Sequence, residues 1–326
     1  MAAPTGTNLV GGRIGVAEDI HDMIYNISPT EVPVSSMAKK LKATNVYHQW
    51  QTDSLAAAAT NSHAEGDDFT AASATPTTML ANYTNISKKQ IVVSRTANTV
   101  KKYGRKSEIG YLITKQGKEL KRDIELMLLG GQASVNGTST TARVTAGYRA
   151  MVVNVQNASG SAKTTPGTAS GFSAGLWQAA VDGSAVTFTE ADLKGALEAA
   201  WSDGGDPSVI VTNTKQKKRM SAFAGASAFD GFKGETTGSG QGVVIAGVDL
   251  YVSDFGNHKV ILDRFMGQTA VLCLDPEYFG IAWLDPIQIE DIAKTGDSEK
   301  KHIVCEWAAV MQNPDAHAQV LGCESA

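Results

Sequence analysis

Apolar residues recur at helical spacing in two clear places. Ile109, Leu112, Ile113, Leu120, Ile124, Met127 and Leu128 trace one stripe, which predicts a long amphipathic helix over residues 107–129. Lys115 with Glu119, and Lys121 with Glu125, stand four apart as opposite charges on its facing surface. Gly130 and Gly131 end it, since glycine accepts the left-handed backbone that closes many helices. At 1.5 Å per residue the helix is roughly 35 Å long, a structural spar. The second stripe runs through Leu193, Ala196, Leu197, Ala200 and Trp201. Thr189 precedes Asp192 by three residues there, a variant of the capping box, and Gly204, Gly205 and Pro207 terminate the segment. Thr214 can cap a further short helix over 215–223.

Elsewhere the pattern shortens to strands. Residues 46–53 and 79–93 read as strand stretches bracketing about 25 small and polar residues. This predicts a long hairpin projecting from the body, with a loop longer than compact domains usually tolerate without a function for it. A strand-like insert occupies 148–155, and 209–211 reads as a short buried strand. From residue 242 onward strands dominate, at 248–253, 259–263, 270–274, 279–284, 287–292 and 302–311. Residues 1–45 carry one short helical patch, Ile20, Met23, Ile24 and Ile27, which Pro29 and Pro33 break. That stretch reads as an arm that docks on something else. The class is α+β.

Composition narrows the function. The 326 residues, 42% hydrophobic, can bury a substantial core as one elaborated domain or two. Lys plus Arg number 29 against 33 Asp plus Glu, a net charge of −4, which argues against a surface built throughout to clamp nucleic acid. Cys273, Cys305 and Cys323 are too few and too dispersed for a disulfide framework or a Cys-x-x-Cys metal site, so a reduced, cytoplasmic site of synthesis is expected. Neither a signal peptide nor a membrane-spanning apolar run is visible.

The search for catalytic chemistry is negative. Gly238, Gly240 and Gly242 form a Gly-x-Gly-x-Gly that precedes a strand, whereas phosphate cradling needs a helix N-terminus. His21, His48, His63, His258, His302 and His317 do not approach metal-ligand spacing, and His302 and Cys305 fall on opposite faces of a strand. Glu65, Asp67 and Asp68 supply too few ligands for calcium. No enzyme activity, cofactor or metal is expected.

One electrostatic pattern stands out. Between residues 51 and 87 there is no Lys or Arg, while Asp53, Glu65, Asp67 and Asp68 are acidic. Between 88 and 107 there is no Asp or Glu, while Lys88, Lys89, Arg95, Lys101, Lys102, Arg105 and Lys106 are basic. The plain reading is two solvated faces of unlike sign. The sharper reading lays the acidic hairpin of one copy over the basic stem of another, so that complementary charge fixes register between subunits. A third use of the basic residues is contact with DNA phosphates. A second basic run, Lys215, Lys217, Lys218 and Arg219, sits on the short helix anchored by Met220 and Phe223.

This ordering resembles the major capsid (major head) proteins of tailed bacteriophages with the Hong Kong 97-type fold. The likeness is carried by Asn82-Tyr-Thr-Asn-Ile-Ser87, Ile91-Val-Val-Ser-Arg-Thr96, Lys102-Tyr-Gly-Arg-Lys-Ser-Glu-Ile109 and Lys118-Glu-Leu-Lys-Arg-Asp-Ile-Glu125, and continues at 188–193 and 201–207. The resemblance implies an N-terminal arm (1–45), an extended loop (46–93), a peripheral domain on the spine helix (94–188), an axial domain (189–285) and C-terminal strands returning to the peripheral domain (286–326). It implies a shell subunit that tiles with copies of itself as hexamers and pentamers around double-stranded DNA, in the virion, after assembly in the host bacterial cytoplasm. Implied partners are a scaffolding protein, a portal and, in some members, a cement protein, with only non-specific DNA contact and no membrane. Some members cross-link through a lysine on the extended loop; residues 51–87 contain none. Others carry a cleaved N-terminal scaffolding segment; here the arm begins almost at Met1, so scaffolding is expected from a separate protein.

Two other readings fit parts of the pattern. An encapsulin-like compartment would share the fold and enclose protein cargo. A fibre or decoration protein would account for the Ser-, Thr- and Gly-rich strands, against which the long spine helix weighs.

Overall fold

The computed structural model describes residues 31–56, 58–68, 76–157, 171–182, 185–223 and 249–324. The helical patch at 20–27 and the glycine run at 238–242 lie outside these residues.

The described chain opens with α1 (Pro33–Met37) and β1 (Lys39–Lys42). Pro33 begins a helix where the sequence predicted only a break: at the first helical positions a missing N–H costs nothing. Next come β2 (Tyr47–Thr52) and β3 (Thr78–Tyr83), an antiparallel hairpin in register from Tyr47 opposite Tyr83 to Thr52 opposite Thr78. β4 (Asn85–Ser94) leaves that hairpin and pairs instead with a late strand. A short α2 (Arg95–Thr99) leads to α3 (Glu108–Leu128), the predicted spar. The Ser107 hydroxyl accepts the Gly110 N–H at its start, and Ile109, Leu120, Ile124 and Leu128 are buried. Glu125 is buried with them and accepts the Val34 and Ser35 N–H groups rather than forming the predicted surface pair with Lys121.

Where a strand was expected at 148–155, the chain forms α4 (Tyr148–Met151) and only then β5 (Asn154–Asn157). All four α4 residues are buried, and a segment covered on every side has no alternation to separate a helical turn from a strand. A small hairpin, β6 (Gly171–Ser173) and β7 (Leu176–Gln178), precedes α5 (Glu190–Ser202). The capping box forms as predicted, with Thr189 and Asp192 bonding reciprocally. Leu193, Ala196, Leu197 and Ala200 are buried, but Trp201, in the last turn, is 59% exposed and stands 6.1 Å from the Phe255 ring. β8 (Val209–Thr212) then leads into α6 (Thr214–Met220), capped by Asn213 rather than Thr214: Asn213 Oδ1 accepts the N–H groups of Lys215 and Gln216 at 2.8 and 3.0 Å.

The remaining elements are strands, β9 (Leu250–Ser253), β10 (Gly256–Leu262), β11 (Val271–Leu274), β12 (Phe279–Ile292), β13 (Ser298–Met311) and β14 (Ala318–Leu321), with a 3-10 turn, Pro314–Ala316, before the last. The segments predicted separately at 279–284 and 287–292 are one strand, with register shifts at Asp285 that accommodate Pro286, which cannot donate to a ladder.

Two main sheets share the core. One is ordered β1-β12-β13-β4, and the other β5-β14-β11-β8-β10-β9. β8 and β11 are buried on both faces, which explains why they read as continuous apolar runs. Val209, Val211, Leu272 and Leu274 join the core against α3, Tyr148, Phe279 and Trp307. Ile210, Val271 and Cys273 face the other way, into a second cluster with Leu193 and Leu197 of α5 and Met220 of α6. The described residues beyond β2, 53–56 and 58–68, are covered by neither.

Candidate assembly surface

The base of the β2–β3 hairpin is fixed to the body. Tyr47 and Tyr83 face each other with ring centroids 4.7 Å apart, and the Tyr47 hydroxyl donates to the Gly175 carbonyl at 2.9 Å. Burial, then the neighbouring Tyr83, raise the Tyr47 phenol above its ordinary pKa. Asn82 is fully buried; its amide donates to the Thr145 hydroxyl at 2.9 Å and the Ala309 carbonyl at 2.8 Å, and its oxygen accepts the Ala146 N–H at 3.1 Å. Beyond Thr52 the character changes. The described residues between 53 and 68 are exposed, Leu55 to 99%. Asp53, Glu65, Asp67 and Asp68 all lie there, and Asp67 meets His63 at 3.4 Å.

The basic stretch is less free than its sequence suggested. Lys89 on β4 pairs with Asp123 of α3 at 2.6 Å, and Arg95 with Asp297 at 2.8 Å. Lys102 and Arg105 converge on Glu108 at 3.2 and 2.6 Å. Glu108 is the first residue beyond the acid-free window, and Asp123 and Asp297 arrive through folding, so a linear count could not see them. Partial desolvation opposes ionisation of Glu108, but hydrogen bonds from Arg105 and Lys102 outweigh it and hold its pKa below the usual value. Lys88, Lys101 and Lys106 are exposed and have no side-chain partner among the described residues. Nor does any ion pair among the described residues join the hairpin acids to the stem cations within the chain.

The second basic run is also largely committed: Lys217 pairs with Asp249 at 2.6 Å and Arg219 with Glu324 at 2.8 Å, leaving Lys218 exposed. Burial pushes the Cys273, Cys305 and Cys323 thiols each up to about 12, which makes them poor nucleophiles. Ser253 Oγ lies 2.7 Å from His258 Nε2, but it also accepts the Phe255 N–H at 3.1 Å and reaches the Gly256 carbonyl at 3.3 Å, so it locks the β9–β10 turn. Among the described residues no cluster of His, Cys, Asp and Glu could hold a metal ion, and no helix is long and apolar enough to cross a membrane.

Sequence reasoning missed two carboxylates, one partly buried and one fully buried. Glu306 on β13 receives Arg143 at 2.6 Å and the Thr84 hydroxyl at 2.6 Å, fixing the turn between hairpin and sheet. Glu125 accepts the Val34 and Ser35 N–H groups at 2.7 and 2.8 Å and thereby holds α1 on the spine helix. Its only sequence signal was a carboxylate between Ile124 and the apolar run 126–129.

Comparison with known proteins agrees with this architecture. The family model for the SU10 major capsid protein matches residues 3–324. The major capsid protein of Escherichia phage Phieco32 is 28% identical over 323 residues, covering 89% of each chain. The capsid asymmetric unit of Cyanophage A-1(L) superposes with a TM-score of 0.69 at 14% identity, over 95% of this chain and 98% of that one. The structure titled Mycobacterium phage Bobi gives a TM-score of 0.59 at 10% identity, over 94% of this chain and 95% of that one. These neighbours share the Hong Kong 97-type α+β capsid fold expected from the sequence, and nothing among them favours a fibre, a decoration protein or a cargo compartment. The chain belongs to the SU10 major capsid protein family, a structural rather than enzymatic class, and its work is to build the bacteriophage head shell from copies of itself.

Proposed function

We propose that this shell encloses double-stranded DNA, and that its hexamers and pentamers are held in register by the acidic hairpin tip of one subunit lying over residues 88–106 of the next. The observation that carries this reading is a mismatch within the single chain. The tip exposes Asp53, Glu65, Asp67, Asp68 and Leu55, while Lys88, Lys101 and Lys106 stand without partners among the described residues. Neither group satisfies the other intramolecularly. A neighbour can cover both at once, and a stable contact of that kind buries at least about 1,000 Å². Several such contacts per subunit act together through effective concentration.

In this reading residues 1–45 are the arm, 46–93 the extended loop, 94–188 the peripheral domain, 189–285 the axial domain, and 286–326 the strands that return to the peripheral domain. Assembly takes place in the host cytoplasm with a scaffolding protein, a portal and a cement protein as partners.

The test is charge reversal with rescue. Changing Lys88, Lys101 and Lys106 to Glu touches no ion pair among the described residues and is expected to block particle formation at low salt. Adding Glu65→Lys, Asp67→Lys and Asp68→Lys is expected to restore it. Normal assembly of the lysine variant contradicts the contact, and particles that form but package DNA poorly move these lysines to the nucleic acid.

A further inference from the structure

We propose that residues 53–56 of one copy add as an antiparallel strand to the free edge of β4 in a second copy, with Asp53 opposite Lys88 and Leu55 opposite Ile86. This rests on the tip-to-stem contact of the proposed function and gives that contact a main-chain register.

β4 ends its sheet. In the order β1-β12-β13-β4 it has β13 on one flank and no strand among the described residues on the other. Backbone groups of successive strand residues point to alternate flanks. Just past β4 the Arg95 N–H reaches the Asp297 carbonyl at 3.2 Å, continuing the ladder with β13, so odd-numbered residues turn that way. Ile86, Lys88, Gln90 and Val92 therefore turn their N–H and C=O groups to the open flank. Gln116 of α3 marks the same direction, because its amide donates to the Gln90 carbonyl at 3.3 Å. Ahead of Gln90 nothing among the described residues takes that place. The side chains there face solvent as well: Ile86 is 53% exposed, and Lys88 is exposed without a partner among the described residues. Such a row of unpaired backbone donors and acceptors is a template for one more strand.

The start of the hairpin tip is the complementary piece. The ladder between β2 and β3 ends at Thr52 opposite Thr78. Residues 53–56 run on exposed and outside any strand, and their one hydrogen bond among the described residues is Ser54 N–H to Asp53 Oδ1 at 2.9 Å. Leu55 is the one large apolar side chain among the described tip residues, and it is wholly exposed.

Side-chain spacing sets the register. Ile86 and Lys88 lie two apart on one face of β4, as Asp53 and Leu55 do on an extended tip. In antiparallel order, Asp53 opposite Lys88 also sets Leu55 opposite Ile86, so that opposite charges meet and two apolar side chains meet. In parallel order the same charge pair sets Leu55 opposite Gln90, whose carbonyl Gln116 already holds. β2 carries Asp53 roughly 20 Å beyond the Tyr47–Tyr83 root. No ion pair or backbone bond among the described residues returns it to β4 of its own chain, so the added strand comes from a second copy.

The test is disulfide trapping. Leu55→Cys and Ile86→Cys, both exposed sites, are made in separate proteins, co-assembled, treated with the thiol oxidant diamide and separated on a non-reducing gel. Paired residues of an antiparallel ladder that exchange hydrogen bonds have Cα atoms about 5.5 Å apart, within disulfide range. The native Cys273, Cys305 and Cys323 are buried and do not compete. A cross-linked dimer is expected from the mixture and from neither protein alone, and a ladder of longer oligomers from the double variant. No dimer from the mixture overturns the strand pairing, as does a dimer that forms instead when Gln90→Cys replaces Ile86→Cys. If charge rescue succeeds while no dimer forms, the tip-to-stem contact stands and only the strand pairing falls; if both fail, the contact itself falls.

Discussion

The Asn82 amide donates to the Ala309 carbonyl at 2.8 Å, so β3 of the hairpin is tied to the C-terminal end of β13, 227 residues further along the chain. The same side chain serves Thr145 and the Ala146 N–H. Asn82→Ala strands several buried polar groups at once, each worth about 1–3 kcal/mol. A loss of about 3 kcal/mol is expected in urea unfolding of the subunit; a loss under about 1 kcal/mol would mean that the hairpin root is held elsewhere.

β1 lies close against β12 because Gly280 has no side chain. A Cβ there would stand 2.7 Å from the Lys39 carbonyl oxygen, which belongs to backbone and cannot swing aside. Gly280→Ala is expected to cost about 1–3 kcal/mol, the range for overpacking. Faster hydrogen exchange should be confined to residues 39–42 and their partners, and unchanged exchange there contradicts the close approach.

Acid should weaken the fold partly through His317. Its ring is buried, its Nδ1 accepts the Asp275 N–H at 3.0 Å, and desolvation lowers its pKa to about 4. The unfolded chain therefore binds this proton first, and stability is lost as pH falls from about 6.5 toward 4, by up to about 3 kcal/mol. His317→Gln should unfold with a shallower pH dependence across that window. An identical slope assigns the acid sensitivity to other groups.

α5 depends on its first turn. Thr189 N–H donates to Asp192 Oδ2 at 2.9 Å, and the Asp192 N–H returns to the Thr189 hydroxyl at 3.4 Å. Thr189→Ala should cost about 1 kcal/mol, with Thr189→Ser recovering most of it. Thermal denaturation of the three proteins measures this directly.

The sequence was legible where one face of an element meets water. α3 and α5 have such a face, and their stripes predicted both helices closely. Legibility failed where burial is complete or where charge is supplied from a distance. Tyr148 and Met151 are covered on all sides and lost their period. Trp201 kept the period of α5 but overran the part of the helix that is covered. Glu125 looked like a partner for Lys121, because nothing in the sequence places the α1 amides beside it. The acidic and basic halves of 51–107 were read correctly as charge, but Glu108, Asp123 and Asp297 neutralise four of the cations after folding.

An electron cryomicroscopy map of assembled particles, resolved well enough to trace subunit contacts, tests the central claim most directly. The account predicts a closed shell in which the tip between residues 53 and 77 crosses to an adjacent subunit and covers Lys88, Lys101 and Lys106 there. A tip folded back on its own subunit, or contacts that leave those three lysines in open solvent, would contradict it.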